Sequence, residues 1–413
     1  MRFFLILCSS LLLLLTGCGD PPLNDYVPYG ADFVGGTDGV GSPSAASGIL
    51  ETIEQLTLRQ GIFFPVGRFF SEAGITPERM GNHFLVYASI EESPRAGVLI
   101  RLPAGTSSKV LEELRSLGDG AETSQETASG ALSLHVDEVE VRIAAIGDSL
   151  LAAVVGDWPI PAEAKQRNSF ALDCRFNADS VIAFYDSSRQ KSSPPLLAPR
   201  KLVLHWHTSE GKTVSTFSAD YATAADAAAM ENYFQKMFAT PGVVEGVTLE
   251  FQGGPAEAVQ LLPPGERRLR QLETVARARE LLRETLRQAE LHNGTFPDDI
   301  LESLVGQMTA PAEVSRPFLA RKYGGILYLG RGAGTGRLKD DSRLPVLLGK
   351  PWEASGGLLA VGFADGRVEE MPLRAPNCRS AVQLLRVRSD EPVAPVWITL
   401  LKNAFQIDQT AGF

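Results

Sequence analysis

The stretch Val139-Glu140-Val141-Arg142-Ile143-Ala144-Ala145-Ile146-Gly147-Asp148-Ser149-Leu150-Leu151-Ala152-Ala153-Val154-Val155 decides the fold. Val139 to Ile146 and Leu150 to Val155 have the length and apolar content of strands. Gly147-Asp148-Ser149 supplies the turn between them. The segment is therefore a hairpin, and its sheet is built by antiparallel pairing. A rival reading would start a helix at Leu150. The continuous run of Leu, Ala and Val suits a buried strand better.

Working outward, His83 to Ile90 and Gly97 to Leu102 read as strands. Thr106 and Ser107 cap a helix running to about Leu117, with Val110, Leu111 and Leu114 on one face. Ala131 to His135 is a further strand. The same order recurs downstream. Val181 to Tyr185, Leu202 to His207 and Val214 to Ala219 read as strands, and a helix from about Thr223 to Phe238 follows. Val247 to Phe251 closes the second run. Residues 80–157 and 178–255 are thus expected to form two related α+β units within a region spanning 48–262. Ile49, Ile53 and Leu56 open that region at helical spacing. Residues 18–47, rich in Gly, Pro, Ser and Asp, read as a flexible tether.

Pro263, Pro264 and Gly265 introduce a long helix, Glu266 to Leu291, ended by Asn293 and Gly294. Its expected apolar stripe is Leu269, Leu272, Ala276, Leu282, Leu286 and Ala289. Next come Asn293-Gly294-Thr295-Phe296-Pro297 and a short helix near Ile300 to Val305. The segment ends in Phe363-Ala364-Asp365-Gly366-Arg367-Val368. This order resembles the C-terminal domain of pseudopilin-like proteins, related to the major pseudopilin of type II secretion. The resemblance covers roughly residues 266 to 371 and implies a small antiparallel sheet within a module over 263–375. The family's histidine falls at Ser355, and Arg367 follows the Asp-Gly pair. The prepilin leader is absent, so incorporation into a pilus is not implied. Some members bind calcium through loop carboxylates, which here would be Asp340, Asp341 and Asp365, but nothing in the sequence fixes the six or more oxygens required. The tail 376–413, with Leu384, Leu385, Trp397, Leu400 and Leu401, is expected to close the fold as one or two helices.

At the N-terminus, Arg2 precedes an apolar run from Phe3 to Leu15, too short for the roughly 20 residues that span a bilayer. Such a run is a signal-peptide pattern. It ends in Leu15-Thr16-Gly17-Cys18, which resembles the lipobox of bacterial lipoproteins. The resemblance implies removal of residues 1–17, lipidation of Cys18 with palmitate-type acyl chains, and attachment to a cell-envelope membrane. Each buried methylene contributes roughly 0.8 kcal/mol. In that family an aspartate directly after the cysteine retains the protein in the inner membrane. Gly19 stands there, so the resemblance implies the outer membrane, with the body in the periplasm or at the surface.

Other constellations resemble reactive sites in part. Gly147-Asp148-Ser149-Leu150 spells the signature of GDSL esterases, where Ser149 would be the nucleophile. That chemistry needs a base and an oxyanion hole. None of His83, His135, His205, His207 or His292 has an aspartate three residues earlier, as the family's base does. His205 and His207 share a strand face without an identifiable third ligand. Gly330, Gly332, Gly334 and Gly336, with Arg331 and Arg337, form a loop that no helix follows, unlike a phosphate cradle. Cys174 and Cys378 remain as thiols that an exported protein could pair or leave free.

With 44% hydrophobic and 21% charged residues the chain is globular rather than disordered, and its net charge of −10 disfavours nucleic acid as a partner. The expected protein is α+β and non-catalytic, with no metal or cofactor. It acts in assembly, display or binding at a membrane, with an unknown envelope protein as partner. A GDSL-type extracytoplasmic esterase and a lipid- or small-molecule-binding lipoprotein are the alternatives.

Overall fold

A computed structural model describes residues 22–413 except 40–41, 91–92, 119–124, 127–129, 137–138, 162–167, 175, 177–180, 191–194, 210–211, 239–241, 334–343, 355, 390–391 and 393. The protein is α+β and divides into two compact units. The described part of the first runs from residue 22 to Thr57 and over Phe64–Pro263; the second comprises Leu58–Phe63 and Pro264–Phe413.

The first unit is built on an antiparallel sheet of twelve strands among the described residues. Strand β1 is Phe33–Asp38. To one side lie β2 (His83–Ser89), β3 (Arg95–Arg101), β7 (Leu150–Val155), β6 (Val139–Ile146), β5 (Leu132–Val136) and β4 (Gln125–Glu126). To the other lie β8 (Val181–Asp186), β9 (Lys201–Ser209), β10 (Lys212–Asp220), β12 (Thr248–Gln252) and β11 (Val243–Glu245). The two strand–helix–strand runs share a plan. In each, a hairpin (β2–β3 or β9–β10) leads into a helix, α4 (Ser107–Gly118) or α6 (Ala224–Phe238). The last strand, β7 or β12, then returns beside the second hairpin strand. Both runs lie in one continuous sheet.

The expected tether over 18–47 is corrected by this arrangement. Residues 33–38 pair with β2 and with β8, and helix α1 (Pro43–Arg59) begins before residue 47. Gly35 and Gly36, read as flexible, are there for close approach. A Cβ on Gly36 would stand 2.3 Å from the Phe84 carbonyl oxygen, and one on Gly35 would stand 2.9 Å from the Ala183 Cβ. Phe33 and Val34 are fully buried, one toward each face.

Alternation sorts the strands between two cores. Phe84, Val86, Leu151, Ala153 and Val155 share a core with helices α1, α2 (Val66–Glu72), α3 (Pro77–Met80), α4, α6 and α7 (Pro255–Val259). Leu85, Tyr87, Leu150, Ala152 and Val154 face a second layer. That layer is made by a 3-10 turn (Leu23–Tyr26), Trp158 and helix α5 (Ser169–Asp173). Burial on both faces is why Leu150 to Val155 is apolar throughout rather than alternating. Tyr87 is squeezed here. Its hydroxyl is buried and has no hydrogen-bond partner among the described residues, and Gly97 across the ladder leaves room for the ring.

In the second unit, helix α8 (Glu266–Leu291) ends at Asn293 and Gly294, which take φ of 55° and 82°. The Gly294 N–H closes the helix on the Ala289 carbonyl. Its buried stripe corrects the expected one: Val275, Ala278, Leu281, Leu282, Thr285, Gln288 and Ala289 face the core. Leu282 and Ala289 of the expected stripe are buried, but Leu269, Leu272 and Ala276 are exposed, because the covered side of the first half is that of Arg268, Gln271 and Val275. After α9 (Ile300–Val305) and α10 (Ala312–Tyr323) comes a four-stranded antiparallel sheet in chain order. Its strands are β13 (Ile326–Tyr328), β14 (Pro345–Gly349), β15 (Leu358–Phe363) and β16 (Val368–Pro372). Asp365-Gly366 turns the last hairpin, with Gly366 at φ 92°. Arg268 near the start of α8 grips Glu370 of β16 with two parallel bonds, one of 2.8 Å.

The tail is integral to this unit rather than a separate appendage. Helices α11 (Cys378–Val387) and α12 (Val396–Ala411) contribute Cys378, Ala381, Val382, Trp397 and Leu400 to the same core as the sheet. The buried Asp408 carboxylate of α12 accepts from the backbone N–H groups of Cys378 (2.8 Å) and Arg379 (2.9 Å) at the start of α11. A carboxylate there satisfies orphan donors and meets the positive end of the helix. Cys174 and Cys378 are free and buried, and burial pushes both thiols up to about 12.

Three outcomes are expected. Asp408→Ala lowers unfolding stability by about 3 kcal/mol in urea titration, since two buried donors lose a charged acceptor. Gly97→Ala destabilises the protein by more than about 1 kcal/mol, whereas Tyr87→Phe leaves stability unchanged or raises it by up to about 1 kcal/mol. A neutral thiol reagent at pH 8 labels Cys174 and Cys378 within minutes only after denaturant is added, as read by mass spectrometry.

Candidate functional site

A groove of about 890 Å³ with a mixed apolar and polar lining lies in the second unit. Strand β13 supplies Ile326, Leu327 and Tyr328 to its lining. The last turns of α12 supply Gln406, Ile407 and Thr410, and the start of α9 supplies Asp298, Asp299, Ile300 and Leu301. Tyr323 and Trp352 complete the walls.

Each wall has its own fastening. Asp299 caps α9 by accepting from the N–H groups of Leu301 (2.9 Å) and Glu302 (3.1 Å). Tyr328 donates its hydroxyl to the Pro297 carbonyl at 2.7 Å. Burial, with Asp298 and Asp299 adding to it, holds that phenol above its ordinary pKa, so it stays a donor. The Asn403 amide donates to the carbonyls of Leu329 and Arg331, both at 2.8 Å, and fixes α12 to the loop after β13. The Trp352 and Phe413 rings are 5.0 Å apart at 38°. Asp298 and Asp299 line the groove together with the cations Arg331 and Lys350. Among the described residues no histidine, serine or cysteine lines the groove. Apolar walls with a few charges of both signs suit binding by burial, with the polar groups setting orientation.

A second cavity, of about 680 Å³, follows α8. Its cations are largely matched: Arg277 reaches Glu273 at 3.3 Å and Lys350 reaches Glu353 at 3.0 Å. It offers no concentrated charge to an anion.

Gly147-Asp148-Ser149 forms the turn between β6 and β7, with Gly147 at φ 63°. The turn is tied to the connection leading into α4. Leu102 donates to the Ser149 carbonyl at 2.7 Å, Gly105 to the Asp148 carbonyl at 2.9 Å, and the Ser107 hydroxyl to the Gly147 carbonyl at 3.0 Å. Ser149 therefore lies in a hairpin turn between two strands, not at the strand-to-helix elbow of the esterases. The cavity beside it holds about 130 Å³, and Tyr26 and Arg101 line it without a histidine.

His205 and His207 lie on β9 opposite Thr216 and Val214 of β10. Burial lowers the His205 pKa; Glu250 opposes this and His207 adds to it. Among the described residues no three His, Cys, Asp or Glu side chains come together to hold a metal. Asp365 of the imagined calcium set is held by Arg367, whose backbone N–H donates to it at 3.1 Å and whose guanidinium pairs with it. Cys18, Gly334, Gly336, Arg337, Asp340, Asp341 and Ser355 lie outside the described residues. Gly332 turns the chain at φ 66°, and Arg331 lines the groove. The groove itself has no sequence signal, since its residues come from segments more than 100 positions apart.

No protein-family model matches the sequence, and no curated protein matches it. Similar solved structures include crystal forms I and III of TP0453, each 13% identical to this chain. The matches cover 59% of this chain and 97% and 98% of those chains, with TM-scores of 0.32 and 0.31. Likeness at this level carries no argument about fold or function.

Proposed function

We propose that the chain is a non-catalytic lipoprotein of the bacterial cell envelope, tied to a membrane through Cys18, whose C-terminal unit binds an apolar segment of a partner protein. The observation that carries the binding role is the groove lined by Leu327, Tyr328 and Ile407. Its volume of about 890 Å³ falls within the roughly 300–1,000 Å³ of ligand sites. The anchor rests on Leu15-Thr16-Gly17-Cys18, the end of a leader too short to span a bilayer. Among the described residues no helix is long and apolar enough to cross a membrane, so a lipid anchor would supply the attachment. The pseudopilin-like order of parts in this unit, together with the lipobox, fits a module displayed at the envelope.

Tagged, lipidated protein is expected to capture a specific envelope protein. Ile407→Asp and Trp352→Ala, each folded by circular dichroism, are expected to lose at least tenfold of that capture. Unchanged capture by both folded variants would refute the groove as the binding site. Ester hydrolysis by the purified protein that Ser149→Ala abolishes would replace the non-catalytic reading.

A further inference from the structure

Five peptide units separate Cys18 from Leu23, the first residue of the 3-10 turn, and a fully extended chain of that length spans at most about 18 Å. Leu23 and Val27 are already buried in the second core of the sheet. The turn is also sewn to α5. The Asn24 amide donates to the carbonyls of Ala171 (3.0 Å) and Cys174 (2.9 Å), and the buried Asn168 amide returns bonds to Pro28 (3.1 Å) and Ala31 (2.9 Å). The layer formed by residues 22–31 and α5 is therefore a firm part of the body that starts within 18 Å of the lipidated cysteine.

Two apolar side chains stand exposed on this layer, with Asp25 and Asp173 near them in sequence. Tyr29 is 74% exposed and Leu172 42% exposed, and Tyr26 and Phe170 are half-buried against the core. Tyrosine, with an apolar ring and a polar tip, suits the headgroup region of a bilayer.

We propose that this face of the sheet lies on the phospholipid surface, with Tyr29 and Leu172 at headgroup depth. The inference rests on lipidation of Cys18 and goes beyond it: the body is held in one orientation, not swung on a long tether. A tether of about 30 Gly/Ser-rich residues would have a root-mean-square span of about 30 Å and would impose no facing.

The test uses the lipidated full chain bound to phosphatidylcholine vesicles that carry a headgroup-linked quencher. Tyr29→Cys and Leu172→Cys are each labelled with a small fluorophore. Val243→Cys on the edge strand β11, 58% exposed, is the control. Cys174 and Cys378 are buried, so the introduced thiol takes the label. Quenching at positions 29 and 172 is expected to exceed that at 243 at least threefold. Equal quenching at all three positions in vesicle-bound protein would overturn the orientation and leave the anchor standing. Mass spectrometry showing an unmodified Cys18 in mature protein would overturn both.

Discussion

Strand β1 is the seam on which the first unit depends. It pairs antiparallel with β2 on one edge and β8 on the other, so it joins two strand–helix–strand halves into one sheet. Without it, β2 and β8 would each present a bare edge, with unpaired backbone groups that cost free energy when buried. The seam needs a strand that is thin where its neighbours crowd it, and Gly35-Gly36 supplies that beside the bulky Phe33 and Val34. Glycine in a strand usually weakens it through chain entropy. Here any side chain at Gly36 would run into the Phe84 carbonyl, so the entropic cost is accepted in exchange for pairing on both sides.

The two-sided core follows from that seam. Helices cover one face of the sheet, and the second face is closed by the 3-10 turn, Trp158 and α5. Central strands such as β7 are consequently apolar at every position, while β6 toward the edge keeps partly exposed residues. The chain segment before β1 thus serves as a covering layer. In the second unit the corresponding constraint is polar. Asp408 on the last helix caps the helix before it, and Asn403 on the same helix holds the loop after β13. One helix thereby fixes the hydrophobic core and one wall of the groove.

These placements bear on function. The groove brings aromatic and aliphatic side chains from β13, α9 and α12 to one surface, together with Asp298, Asp299, Arg331 and Lys350. In the proposed binding role, apolar area would supply the free energy of binding and the charged groups would supply register. The esterase-like tetrapeptide has no such setting. Its three carbonyls accept hydrogen bonds from the β3–α4 connection, which makes it a buttress of the hairpin.

Much of the local structure was legible in the residues alone. The helix Glu266–Leu291 is bracketed by Pro264-Gly265 and Asn293-Gly294, whose backbone preferences act within a few residues. The hairpin around Gly147-Asp148-Ser149 and the α+β class follow from equally local apolar runs and turn chemistry. Long-range contacts decided the rest. The Gly-rich segment from 33 to 38 carries no local sign that it is a central strand, because its fit is set by Ala183 and Phe84, far away in the chain. Leu269 and Leu272 have helical spacing but no surface to cover them, and periodicity reports only which residues share a face. The groove and the Asp408 cap exist only once distant segments meet. Sequence determines what a few neighbouring residues do to one another; burial partners and cavities belong to the packed chain.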